Sequence, residues 1–136
     1  MAASTLVDAG FVVALLSRRD TAHAWAVRQA ERSPPPWSTC EAVLSEAFHL
    51  LGRPGYQALS ALIRRGALVA DFAFQPDADP VLRLVEKYAD VPMSFADACL
   101  VRMTEIVADP LLLTTDSDFR IYRRLGRRTI PYLLPS

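Results

Sequence analysis

An α/β domain with a mostly parallel sheet is what this sequence predicts, and three observations carry it. Short apolar runs alternate with segments of helical periodicity along the chain, the pattern of successive β–α units. Two of those runs end on a carboxylate, at Asp8 and at Asp116. The chain has 136 residues, 51% of them hydrophobic, which is enough for a single domain over residues 1–136 with a real core.

The opening stretch, STLVDAGFVVALL from Ser4 to Leu16, reads as a short buried strand that ends on Asp8 and turns into a helix over 10–17. Asp20 or Thr21 caps a second helix reaching Glu31, with Ala24, Val27 and Ala30 on one side, and Ser33-Pro34-Pro35-Pro36 stops it. A strand over 37–39 and a helix over 41–51 follow. Gly52-Arg53-Pro54 breaks that helix, and Pro54 opens another through Arg65. Gly66 ends it, and 67–72 forms the third strand. Helices are expected over 77–88, with Pro80 in the first turn, and over 94–107, ended by Asp109-Pro110. A strand over 111–115 then finishes on Thr114-Thr115-Asp116. A short helix over 117–125 is stopped by Gly126, and a last strand over 128–134 carries Pro131, which favours an edge position.

Composition excludes several classes. The longest apolar run, Phe11 to Leu16, is far too short to cross a bilayer, and no basic segment leads into an apolar core at the N-terminus. Cys40 and Cys99 have no metal-like spacing and suit free buried thiols in a reducing cytoplasm. The net charge is zero, which argues against a general nucleic-acid coat. Lys87 is the one cationic residue that is not Arg, and five Arg fall between Arg120 and Arg128. Arg suits bidentate phosphate contacts, so a local basic patch is compatible with a neutral total.

The carboxylates sort by position. In open α/β sheets ligands sit outside the carboxyl ends of the strands, so Asp8 and Asp116, at two parallel strand ends, can share a mouth. Asp is also a favoured N-cap, and each is either a cap or part of a site. On the helix over 41–51, Val43, Leu44, Ala47, Leu50 and Leu51 fill one face. Glu46 lies at its border, partly buried, while Glu41 and His49 point to solvent. Asp97 fits a capping box with Ser94, yet Leu100 and Val101 follow at three and four residues and turn it to the core side. Four acids thus point inward or to one sheet edge: Asp8, Glu46, Asp97 and Asp116, with Asp118 and Asp90 as possible additions. Packed carboxylates need a cation or a shared proton. With no Cys or His placed for zinc, oxygen ligands suit Mg²⁺ or Mn²⁺. Several carboxylates around such ions commonly serve phosphodiester hydrolysis.

These segments together resemble the PIN-domain ribonucleases, and most closely the VapC toxins of toxin–antitoxin modules. The motifs are Leu6-Val7-Asp8-Ala9-Gly10, Ser45-Glu46, Ser94-Phe95-Ala96-Asp97-Ala98 and Thr114-Thr115-Asp116-Ser117-Asp118-Phe119. The resemblance covers essentially the whole chain. It implies a three-layer α/β/α domain with a parallel sheet of about five strands. It also implies a Mg²⁺- or Mn²⁺-dependent endoribonuclease whose acidic quartet is Asp8, Glu46, Asp97 and Asp116. Asp8, Asp97, Asp116 and the auxiliary Asp118 would hold the metal, and Asp90 stays outside the site. Further implications are an RNA substrate, a cognate antitoxin protein, a homodimer and a cytoplasmic location. One departure stands out: the family often has Thr or Ser two residues after the first Asp, where this chain has Gly10.

Arg120, Arg123 and Arg124 share one face of the helix expected over 117–125, either an ordinary solvated face or a rim for RNA phosphates. Trp25, Trp37, Phe48 and Tyr56 suit base stacking or the core. A haloacid-dehalogenase-like phosphatase needs a second Asp where Gly10 stands. A receiver domain needs a late-strand Lys, whereas the single Lys87 falls in a helix. The non-enzymatic alternative is a catalytically silent PIN-like module that binds RNA or protein.

Overall fold

A computed structural model describes residues 4–136. Five strands build the main sheet: β1 (Thr5–Val7), β2 (Trp37–Thr39), β3 (Leu68–Ala70), β4 (Leu111–Leu113) and, at the chain's end, β7 (Tyr132–Leu133). Their order is β3-β2-β1-β4-β7, and every pairing is parallel, with Leu6 opposite Ser38 on one side and Leu112 on the other. The helices are α1 (Ala9–Leu16), α2 (His23–Arg32), α3 (Glu41–Arg64), α4 (Ala78–Lys87) and α5 (Phe95–Ile106). The chain moves outward from β1 to β3 and then crosses back to β4. Right-handed crossovers put α1–α3 on one face and α4 and α5 on the other, the three-layer α/β/α arrangement. Leu6, Val7, Leu112 and Leu113 are fully covered between those layers, with Phe11 and Leu100. Phe11 stacks edge-on against Trp25 and Trp37, which commits Trp37 to the core.

Most of the expected elements are present within a few residues. α3 joins the two helices expected there, with the break where Gly52 takes φ 63°, the left-handed region that glycine enters without penalty. A 3-10 turn over Gln75–Asp77 precedes α4. The start of α2 differs: it begins at His23 after Ala22, and Asp20 instead accepts the Ala22 N–H in a tight turn. Its buried residues are Ala26 and Gln29, not Ala24, Val27 and Ala30. His23 Nδ1 lies 2.8 Å from the Ala14 carbonyl, which ties the start of α2 to α1 and sets that rotation.

The C-terminal region departs most. The helix expected over 117–125 is a 3-10 turn, Ser117–Arg120, followed by a hairpin of β5 (Arg123–Arg124) and β6 (Arg128–Thr129). Tyr122 is fully buried against Tyr88 and Phe119, and the Tyr88 hydroxyl accepts the Arg123 N–H at 2.8 Å. Leu125 and Gly126 then take φ of 51° and 84°, which reverses the chain. The single strand expected over 128–134 is therefore split between β6 and β7. β7 holds the edge position that Pro131 suggested.

Candidate active site

The strand order reverses between β1 and β4, since β2 and β3 lie to one side of β1 and β4 to the other. Such a switch point opens a crevice at the carboxyl edge of the sheet. Asp8 follows β1 and Asp116 follows β4, so both sit at this crevice.

Asp8 caps α1 and faces the crevice at once. Its Oδ1 accepts the Phe11 N–H at 2.8 Å at the start of α1, and its Oδ2 accepts the Thr114 hydroxyl. Only 6% of the residue is exposed. Burial pushes its carboxyl from the ordinary 3.8 up to about 7, outweighing the two hydrogen bonds, and the charges of Asp116 and Asp97 push the same way. Thr114 is also the link to the second acid, because its Oγ1 accepts the Asp116 N–H at 2.9 Å. Asp116 in turn caps the 3-10 turn through Oδ1, which accepts the Asp118 N–H at 2.9 Å.

The capping box read at Ser94 and Asp97 is present, with bonds of 3.0 and 3.3 Å. Asp97 Oδ2 also accepts the Tyr122 hydroxyl at 3.2 Å. Burial holds the Asp97 carboxyl above its ordinary value against its bond to Ser94, and the Asp116 charge adds to the rise. Burial likewise pushes the Tyr122 hydroxyl up, helped by the Asp97 charge. Tyr122 thus stays a neutral donor.

Asp8, Glu46, Asp97 and Asp116 line one cavity of about 380 Å³. A larger hollow of about 790 Å³ on the second half of α3 is open and lined by no acid, so chemistry favours the smaller one. Glu46 is exposed rather than partly buried. Leu50, one turn on and placed by periodicity in the covered face, is 56% exposed, because both residues form the cavity's rim. Asp118 stands on the 3-10 turn and does not line the cavity. His49 is exposed, as expected.

The three arginines do not share a helix face. Arg120 is exposed on the 3-10 turn. Arg123 turns its guanidinium onto the carbonyls of Arg120, Ile121 and Tyr122, and Arg124 donates twice to the Thr104 carbonyl. Sequence reasoning missed Thr114, Thr115 and Tyr122 as site residues. The paired threonines before Asp116 were the available signal for two of them, and nothing local marks Tyr122.

The residues fit a hard divalent cation. The cavity's donor set is carboxylate oxygen, and one carboxylate is held where its charge is poorly solvated. Among the described residues no three Asp, Glu, His or Cys side chains enclose an ion by themselves.

A parallel sheet with acids gathered at its switch point defines an α/β domain with a carboxylate-lined site. The PIN domain model matches residues 5–125, and the chain belongs to the PIN domain family. The VapC-type likeness of the motifs is matched by a solved structure, the Mycobacterium tuberculosis VapC20, a sarcin–ricin loop cleaving toxin. It superposes with a TM-score of 0.68 at 25% identity, covering 85% of this chain and 92% of that one. No curated protein matches the sequence. Among the described residues no helix is long and apolar enough to cross a membrane.

Proposed function

We propose that this chain is a Mg²⁺- or Mn²⁺-dependent endoribonuclease, the toxin of a type II toxin–antitoxin module, which hydrolyses RNA phosphodiesters at the acid-lined cavity. Asp8, Asp97 and Asp116 hold the ion with Asp118 supporting from the adjoining turn, and Glu46 completes the quartet. The observation that carries this is the meeting of four carboxylates from four separate segments in one cavity at the switch point. When bound, a divalent ion there lowers the pKa of water and offsets charge developing on the phosphate.

The chain's own groups prepare that site. Thr114 fixes Asp8 and the backbone of Asp116 together, while Ser94 and Tyr122 fix Asp97. Pinned carboxylates keep a set geometry without reorganising during the reaction. Glu46 makes no side-chain hydrogen bond among the described residues, which leaves it free to turn toward the RNA or the attacking water. Arg120 supplies an exposed cation on the turn that follows Asp116, whereas Arg123 and Arg124 are held on backbone carbonyls and do not line the cavity. A cognate antitoxin that covers the cavity, a second copy of the chain, and a cytoplasmic setting belong to the same proposal.

The test is cleavage of labelled RNA, beginning with a sarcin–ricin loop oligonucleotide because VapC20 carries that activity in its name. Reactions contain Mg²⁺, Mn²⁺ or EDTA, beside Asp8→Asn. Cleavage that needs the metal and is lost in the variant is expected. Metal-independent cleavage, or a fully active Asp8→Asn, refutes the mechanism. RNA binding without cleavage under every metal condition favours the silent binding module.

A further inference from the structure

Gly10 lies in the first turn of α1 with no positive φ, so its backbone would accept any L-residue. The place of a side chain is taken instead, and one could enter only if Thr115 moved. A Cβ at Gly10 would stand 2.1 Å from Thr115 Oγ1, 3.4 Å from Thr115 Cβ and 3.5 Å from Asp8 Oδ1. The Thr115 hydroxyl, arriving from the loop after β4, fills the place of the missing side chain beside the Asp8 carboxylate.

That hydroxyl makes no side-chain hydrogen bond among the described residues. No buried side-chain polar atom there lacks a partner, so Thr115 Oγ1 is open to the cavity that the residue lines. The cavity's side chains include four carboxylates, and the only side-chain donors among them are the hydroxyls of Thr115 and Ser117. A phosphodiester entering it brings non-bridging oxygens that need donors. Of the two, Thr115 is the donor whose oxygen occupies the place of a Gly10 side chain, a place 3.5 Å from Asp8 Oδ1.

We propose that the Thr115 hydroxyl donates a hydrogen bond to a non-bridging phosphate oxygen of RNA bound over the acid cavity, and that Gly10 is without a side chain to leave that hydroxyl its place. This rests on the nuclease reading for the identity of the ligand. Thr115 is then a substrate-contacting residue, its hydroxyl standing where a side chain at position 10 would be.

Four chains are compared for cleavage: the parent, Thr115→Val, Thr115→Ser and the double exchange Gly10→Ser/Thr115→Ala. Single-turnover RNA cleavage, Mn²⁺ affinity by titration calorimetry and the thermal midpoint are measured for each. Binding of fluorescein-labelled RNA is measured with and without Thr115→Val in an Asp8→Asn background. Thr115→Val should lower the cleavage rate and the RNA affinity by about tenfold to a hundredfold, the range for a hydrogen bond to a charged group. Mn²⁺ affinity and the thermal midpoint should not move. Thr115→Ser should stay near the parent, and the double exchange should recover most of the loss by returning a hydroxyl from the opposite side. Parental cleavage and binding by Thr115→Val overturns the proposal. So does a Thr115→Ser as impaired as Thr115→Val, or a fall in Mn²⁺ affinity that parallels the lost rate. A parent that binds RNA in a Thr115-dependent way but never cleaves it sinks the hydrolase and keeps this contact. A parent that binds no RNA sinks both.

Discussion

Asp8→Asn separates the energetic role of the buried carboxylate from its chemical one. Burial moves the Asp8 carboxyl from 3.8 to about 7. At about 1.4 kcal/mol per pH unit, full ionisation of this group costs the fold about 4 kcal/mol. The folded chain holds the proton more tightly than the unfolded chain. Its contribution to stability is therefore whole below pH 3.8, declines as the pH rises, and is gone above about pH 7. Asn at this position cannot ionise. It keeps an acceptor for the Phe11 N–H but loses the oxygen that accepts from Thr114, a loss of about 1 kcal/mol. The parent should thus be the more stable protein near pH 4 by about 1 kcal/mol, and Asp8→Asn the more stable at pH 8 by about 3 kcal/mol. Urea unfolding of both chains in EDTA from pH 4 to 8 measures the difference, which cancels the other titrating groups. Adding Mg²⁺ at pH 8 should stabilise the parent alone. A stability difference that stays flat with pH, or an Asn variant weaker at pH 8, refutes the account of Asp8 as a charge stored in a dry site.

Three further substitutions divide the residues by role. Arg120→Ala should leave stability within about 0.5 kcal/mol and lower the salt slope of RNA binding by about one, whereas Arg124→Ala strips two donors from the buried Thr104 carbonyl and should cost about 1–3 kcal/mol. Equal effects from the two in urea unfolding and salt titration would contradict their separate placement. Tyr122→Phe keeps the rings against Tyr88 and Phe119 but removes a donor to Asp97, at about 1 kcal/mol. Since that bond favours the charged carboxylate, the Asp97 carboxyl should rise further and the acid limb of the cleavage pH profile should move to higher pH. An unmoved limb disconnects Asp97 from the rate.

What the sequence made readable was local, and what it hid was tertiary. The β–α alternation, the break at Gly52 and the box from Ser94 to Asp97 rest on period, glycine and capping chemistry within a few residues. The helix expected over 117–125 does not form, although Phe119 and Tyr122, three apart, have a helical spacing. Their spacing comes instead from a buried aromatic cluster with Tyr88, a residue thirty-four positions before Tyr122. Glu46 and Leu50 were misjudged for a related reason: periodicity finds the apolar side of a helix, but the rim of a cavity is apolar and uncovered. Cap and site residue were posed as alternatives for Asp8, Asp97 and Asp116, yet all three cap their own segments and also line one cavity. Each accepts a backbone N–H within its own segment, from Phe11, Ser94 and Asp118. That bond fixes the carboxylate against rotation. Three acids that repel one another are thereby kept at one cavity by hydrogen bonds local to each segment, so capping sets the geometry that a cation would meet under the proposed function.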